Sequence, residues 1–220
     1  MSEVSSGSGL REHIILLGRF LRHPRTVGAL SASSQTVARV MAANVMPNGT
    51  QSVVELGSGT GALTGAILNR LGPSDRFLAI EIVPEFVQEL RQRLPAAECI
   101  CGSAADLYAL AVDRDMAPVD HIISGLPFAT LPVETTRRVL DAVGKTLKPG
   151  GTFTTFQYVH AYTWHTTAAF RREMSRRLGA KPHRKFVLRN APPAFILSWR
   201  RPENAGESVS VSAGSRHPSS

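Results

Sequence analysis

From Ser52 onward, two hydrophobic rhythms alternate along the chain. Short apolar runs rich in Val, Ile and Phe predict strands near 52–56, 76–81, 97–101, 119–123 and 152–158. Between them, apolar residues recur at helical spacing near 61–71, 84–94, 104–112 and 133–147. Strand and helix in strict alternation predict a doubly wound parallel sheet. A basic helix is expected near 161–178. Two further apolar–polar runs, Phe186 to Arg189 and Phe195 to Trp199, lie close enough in sequence to form a terminal hairpin. The expectation is an α/β fold with a seven-stranded, mostly parallel sheet and no internal repeat.

Two helices are expected ahead of the first strand. In Leu10 to His23, the residues Leu10, Ile14, Leu17 and Leu21 form one stripe flanked by Leu16 and Phe20, with Arg11, Arg19 and Arg22 on the other side. The second helix would take Ser33 or Ser34 as its N-cap, run through Val37, Val40 and Met41, and stop before Pro47 and Gly49. Residues 1–9 and 202–220 are Ser- and Gly-rich or Ser-rich and are expected to be disordered. The layout is then a helical extension over 10–48 and a catalytic domain over 49–201.

Composition narrows the class. The 220 residues are 43% hydrophobic and 19% charged, ordinary for one globular domain that buries its core without staples. No apolar run approaches the roughly 20 residues that span a bilayer, and Ile14 to Leu17 is too short for a signal-peptide core, so a cytoplasmic location is expected. Cys99 and Cys101 would share one face of a strand, where a disulfide is geometrically disfavoured and a structural role is expected. The net charge of +8 is unevenly spread: His160 to Arg201 holds ten Lys or Arg against Glu173 alone. A surface of that kind suits an anionic partner, either nucleic acid or acidic lipid headgroups.

The candidate chemistry begins at Val53-Val54-Glu55-Leu56-Gly57-Ser58-Gly59-Thr60-Gly61. A tight strand-to-helix turn needs glycine where backbone must approach a ligand closely. The turn alone also suits nicotinamide or flavin enzymes, but no second glycine-rich loop follows another strand to hold a dinucleotide's other half. Glu55 at the strand end gives Glu-x-Gly-x-Gly-x-Gly, which resembles the cofactor loop of Rossmann-like class I S-adenosylmethionine (SAM)-dependent methyltransferases. That resemblance places Glu55 near the methionine amino end of SAM, with Gly57, Ser58, Gly59 and Gly61 as the loop. Glu81 closes the second strand twenty residues beyond Gly61, where a carboxylate accepts both ribose hydroxyls, with Ile82 beside it. Gly102-Ser103-Ala104-Ala105-Asp106 sits where the family cradles adenine, with Ser103 in place of the usual Asp and Ala104 next to it. Ser124 completes the expected cofactor set.

The acceptor is expected at Ser124-Gly125-Leu126-Pro127-Phe128, which is similar to the Asn-Pro-Pro-Tyr loops of amine and adenine N-methyltransferases, though without the Asn and with Phe for Tyr. Together with Phe20-Leu21-Arg22-His23-Pro24-Arg25-Thr26-Val27-Gly28-Ala29, Ser33-Ser34 and Arg189-Asn190-x-Pro192-Pro193-Ala194, this loop makes the chain resemble the soluble bacterial phospholipid N-methyltransferases. Those enzymes convert phosphatidylethanolamine stepwise to phosphatidylcholine. The resemblance implies a first helix that associates with the inner face of the cell membrane, and an interfacial helix also fits the stripe of Leu10 to Leu21.

Amine methylation needs positioning, desolvation and a route for a proton rather than a covalent intermediate. Gly125, Leu126 and Phe128 are expected to line the acceptor, and Tyr158 or His160 to orient its amine. Arg22, Arg25 and Arg189 are nominated for the phosphate. His160 and His165 lack companions at metal-ligand spacing, so no metal is expected. Two competing readings are an RNA adenine N6-methyltransferase and a SAM-binding protein without turnover. The missing Asn-Pro-Pro-Tyr form and the absence of an RNA-binding appendage disfavour nucleic acid as the partner.

Overall fold

The computed structural model describes residues 35–46, 49–188 and 192–203. The expected helix over Leu10 to His23 and the caps Ser33 and Ser34 lie outside these residues. Helix α1 (35–41) comes first and tightens into a 3-10 turn, Ala42–Asn44. Strand and helix then alternate through β1 (Ser52–Leu56), α2 (Ala62–Leu68), β2 (Arg76–Glu81), α3 (Pro84–Arg93), β3 (Cys99–Cys101) and α4 (Leu107–Val112). They continue with β4 (Val119–Ser124), α5 (Val133–Thr146), β5 (Leu147–Tyr158), α6 (His165–Leu178), β6 (His183–Val187) and β7 (Ala194–Arg200).

The strands form one seven-stranded sheet in the order β3-β2-β1-β4-β5-β7-β6. The first five are mutually parallel, with Val54 opposite both Leu78 and Ile122. The expected hairpin is present, but its second strand sits inside: β7 pairs antiparallel with β5, and β6 pairs with β7 from outside.

Side chains alternate across the sheet and give each face its own core. On one face, Val54, Leu56, Leu78, Ile80, Ile122 and Phe153 pack against α4, α5 and α6. On the other, Val53, Phe77, Ala79 and Ile123 meet α1, α2 and α3. Both faces are covered, which explains why the central strands read as unbroken apolar runs.

The boundaries depart from expectation for local reasons. β5 starts at Leu147 rather than 152, because the Lys148-Pro149-Gly150-Gly151 stretch is a bulge inside the strand, with a register shift between Val119 and His121. Gly150 there takes φ 77°, which favours glycine. β6 starts at His183 rather than Phe186. His183, Arg184 and Lys185 are solvent-facing on an outer strand and carry no apolar alternation to announce it. α6 begins at His165 because Val159–Ala161 forms a separate 3-10 turn, and Thr167 Oγ1 donates to the carbonyls of Ala161 and Trp164.

Phe153, at the sheet centre, is fully buried between the rings of Phe128 and Trp199, at centroid distances of 6.5 and 5.9 Å. Truncating it leaves a cavity roofed by α6. Phe153→Ala is expected to lower the unfolding free energy by about 3–5 kcal/mol in urea titration.

Candidate active site

The turn after β1 is built from three glycines in the left-handed region, with φ of 75° at Gly57, 49° at Gly59 and 81° at Gly61. Neighbours press on two of them: a Cβ on Gly57 would lie 2.9 Å from Leu126 Cδ2, and one on Gly61 would lie 2.5 Å from Leu90 Cδ1. A Cβ on Gly59 would meet nothing within 4 Å among the described residues, so the turn presents open space there. The Gly57 amide donates to the Ile80 carbonyl at 2.8 Å, tying the turn to β2.

Glu81 sits at the end of β2, almost fully buried. Its Oε2 accepts from the Gly59 amide at 2.9 Å and its Oε1 from the Val83 amide at 3.0 Å. Each oxygen keeps a lone pair for a ligand hydroxyl. The third loop is tied to the same residue, since the Gly102 amide donates to the Glu81 carbonyl at 2.9 Å. Ser103 caps its own turn by accepting from the Ala105 amide at 3.2 Å. Ile82 and Ala104 are half-buried at this edge. Cys101 lies exposed there with Sγ 3.8 Å from the Ile82 carbonyl, while Cys99 is buried in the core and both thiols are free. Cys101 is thus a rim residue, and of the two only Cys99 packs in the core.

Glu55 is fully buried, and burial pushes its pKa up to about 8. Thr64 Oγ1 opposes that shift by donating to Oε2 at 2.6 Å, and the charge of Glu81 reinforces it. Oε1 has no partner. Thr64, at the start of α2, is a site residue that sequence reasoning missed. Its signal was indirect: a carboxylate on a buried strand demands a donor, and the first turn of the next helix is the nearest source.

The loop after β4 is locked onto the glycine turn. The Gly125 amide donates to the Leu56 carbonyl at 2.8 Å, and a Cβ on Gly125 would lie 2.8 Å from the Gly57 carbonyl oxygen. Ser124 is fully buried; its Oγ accepts from the Leu126 amide at 3.3 Å and its carbonyl accepts from Thr155 Oγ1 at 3.0 Å. Phe128 departs from expectation. Its ring is 3% exposed and stacks on Phe170 at 4.2 Å, so it anchors the loop in the core instead of forming a wall of the acceptor site.

Tyr158 ends β5, three residues past the Ser124–Thr155 pairing and hence at the same sheet edge. Its half-buried ring packs edge-on to Phe156 and stacks on exposed His160 at 5.7 Å, which in turn meets Trp164 edge-on at 6.0 Å. Burial raises the Tyr158 phenol above its ordinary value. Arg22, Arg25 and Arg189 lie outside the described residues.

The residues present fit SAM. The unpartnered Glu55 Oε1 and the open glycine turn suit the amino acid end, and the spare lone pairs of Glu81 suit the ribose hydroxyls. A doubly wound sheet with these groups at the carboxyl ends of β1, β2 and β4 defines a class I SAM-dependent methyltransferase. The family profile for the methyltransferase domain matches residues 53–151. The ornithine lipid N-methyltransferase of Singulisphaera acidiphila is 31% identical over 147 residues, covering 66% of this chain and 77% of that protein. The chain belongs with it in the SAM-dependent methyltransferase family.

Solved structures agree on the fold. The N-methyltransferase NodS from Bradyrhizobium japonicum WM9 superposes with a TM-score of 0.61 at 13% identity, covering 81% of this chain and 99% of that one. The 1,6-didemethyltoxoflavin-N1-methyltransferase of Burkholderia thailandensis, solved with S-adenosylhomocysteine, gives 0.62 at 15% identity over 92% and 93%.

Two outcomes follow. Gly125→Ala forces a methyl group against the Gly57 carbonyl, so S-adenosylhomocysteine should bind about tenfold or more weakly by calorimetry, with the fold retained. Folded Glu55 keeps its proton up to about pH 8, whereas the unfolded residue loses it near 4.5. The unfolded chain therefore binds fewer protons in that window, and stability of the ligand-free protein falls as pH rises through it, levelling off above about 8. Glu55→Gln should flatten this slope in denaturation measured between about pH 5 and 9.

Proposed function

We propose that this protein is an amino-lipid N-methyltransferase, taking phosphatidylethanolamine through its mono- and dimethylated forms to phosphatidylcholine at an anionic membrane surface on the cytoplasmic side. The observation that carries this reading is the rim of the site edge. Val159, Trp164, Phe186 and Leu188 are large apolar residues left exposed, Leu188 at 69%. Val187 and Ala194 are in register with Tyr158, and the Val159 amide donates to the Pro193 carbonyl, so this rim adjoins the end of β5. The neighbouring α6 and β6 supply Arg172, Arg184 and Lys185 to solvent. Apolar side chains ringed by cations suit attachment to acidic headgroups. No helix among the described residues is long and apolar enough to cross a membrane, which favours peripheral attachment.

SAM supplies an electrophilic methyl carbon on a sulfonium. The acceptor nitrogen must arrive neutral with its lone pair aligned, and the loop at Gly125 and Leu126 offers a narrow seat beside the glycine turn. Tyr158, held protonated by burial, orients the amine through its hydroxyl rather than removing a proton. Methyl transfer breaks the sulfonium C–S bond and leaves the product nitrogen protonated, and exposed His160, stacked on Tyr158, offers the way out for that proton.

The S. acidiphila relative favours a second acceptor of the same chemistry, the primary amine of an ornithine lipid. Purified protein with radiolabelled SAM should be offered phosphatidylethanolamine vesicles, ornithine lipid vesicles and ribosomal RNA side by side. Label in phosphatidylethanolamine is the expected result. Label in ornithine lipid alone replaces the headgroup, and label in RNA overturns the lipid reading.

A further inference from the structure

Helix α6 treats its arginines in two ways. Arg176 and Arg177 are matched: Glu173 pairs with both, and Asp141 accepts from Arg177 at 2.8 Å. Nearer the start of the helix, Arg171 has no carboxylate partner among the described residues. Its guanidinium lies 3.9 Å from the Tyr162 ring centroid, and Nη1 donates to Gln157 Oε1 at 2.7 Å and to the Tyr162 carbonyl at 2.8 Å. From the edge strand, Arg184 reaches the same tyrosine, with Nη1 3.1 Å from the hydroxyl and its guanidinium 5.5 Å from the Phe195 ring centroid.

The cluster consists of donors. Arg171 keeps three N–H groups and Arg184 four beyond the bonds above. Tyr162 accepts from Arg184 and so retains its own proton to give. Gln157 is only 5% exposed, and with its oxygen turned to Arg171 its amide nitrogen is left without an acceptor. Burial, together with the like charges of Arg172 and Arg184, holds the Arg171 pKa below its ordinary value. A structural arginine pair would be expected to carry a carboxylate, as the next turn of the helix does.

We infer that Arg171, Arg184 and Tyr162, supported by Gln157, form an oxyanion-binding site that seats the headgroup anion of the lipid acceptor. The inference rests on the amino-lipid reading for the source of that anion, though not for the anion itself. The position fits the task. Phe170, adjacent to Arg171, stacks on Phe128 of the acceptor loop, Thr166 Oγ1 donates to the Ala129 carbonyl at 3.1 Å, and Gln157 precedes Tyr158. An anion held here would tether a headgroup whose amine points toward Gly125 and Leu126. Fork-shaped guanidinium groups recognise phosphodiester and carboxylate oxygens alike, so the site accommodates either kind of lipid anion.

The test uses the full chain and two probes, soluble dihexanoyl phosphatidylethanolamine and inorganic phosphate, titrated calorimetrically in the presence of S-adenosylhomocysteine. Arg171→Gln and Arg184→Gln should each weaken both probes by about tenfold. Lys145→Gln, an exposed charge on α5, should leave them unchanged, and S-adenosylhomocysteine affinity should be unaltered in all three. In turnover, the two variants should raise KM with little change in kcat, as expected for lost positioning of the ground state. If Arg184→Gln, which alters only an exposed side chain, binds both probes as the unmodified protein does, the inference is overturned while the amino-lipid reading stands. If no lipid is methylated yet phosphate binding still depends on Arg171 and Arg184, the site stands and the source of its anion is a free oxyanion. Phosphate bound equally by all variants also overturns the inference.

Discussion

The site depends on one close approach of backbone to backbone. The loop after β4 lies so near the turn after β1 that a single methyl group on Gly125 would lie 2.8 Å from the Gly57 carbonyl. Leu126 closes the gap from the other side, against Gly57 itself. The loop expected to present the acceptor and the glycine turn expected to hold the cofactor therefore form one packed unit, and their spacing is set by van der Waals contact rather than by flexible side chains. Phe128, inserted between Phe153 and Phe170, holds this unit to the sheet and to α6.

Around that unit, the electrostatics are arranged by burial. Glu55 and Glu81 stand near one another at the ends of adjacent strands, yet they are treated differently. Two backbone amides donate to Glu81, whereas Glu55 receives one hydroxyl and is pushed by burial toward its neutral form. Like charges at close range resist double ionisation, and a cationic ligand amine would relieve that conflict. A buried acceptor without a partner costs stability in the free protein, and ligand binding recovers it.

Much of this was legible in the sequence because the central strands are apolar on both faces and the glycines mark a turn that no other residue could make. Glu55, Glu81 and the Ser124-Gly125-Leu126 loop could be placed by their position at strand ends. What was hidden depends on long-range packing. Thr64 acquires its role only when α2 docks beside β1. The ring of Phe128 was assigned to the ligand because its partner Phe170, forty-two residues away, carries no local signal. The early start of β6 was invisible because an outer strand bearing exposed His183, Arg184 and Lys185, with Val187 its one buried residue, has no alternation to announce it.

That outer strand has a further consequence. β7 lies between β5 and β6, so the sheet ends on the strand with the most cationic sequence of the seven. An open edge is a template for adding another strand, and consecutive basic side chains penalise any copy of the same chain that approaches it. The hairpin thus disfavours edge-to-edge pairing between copies of this chain at high local concentration.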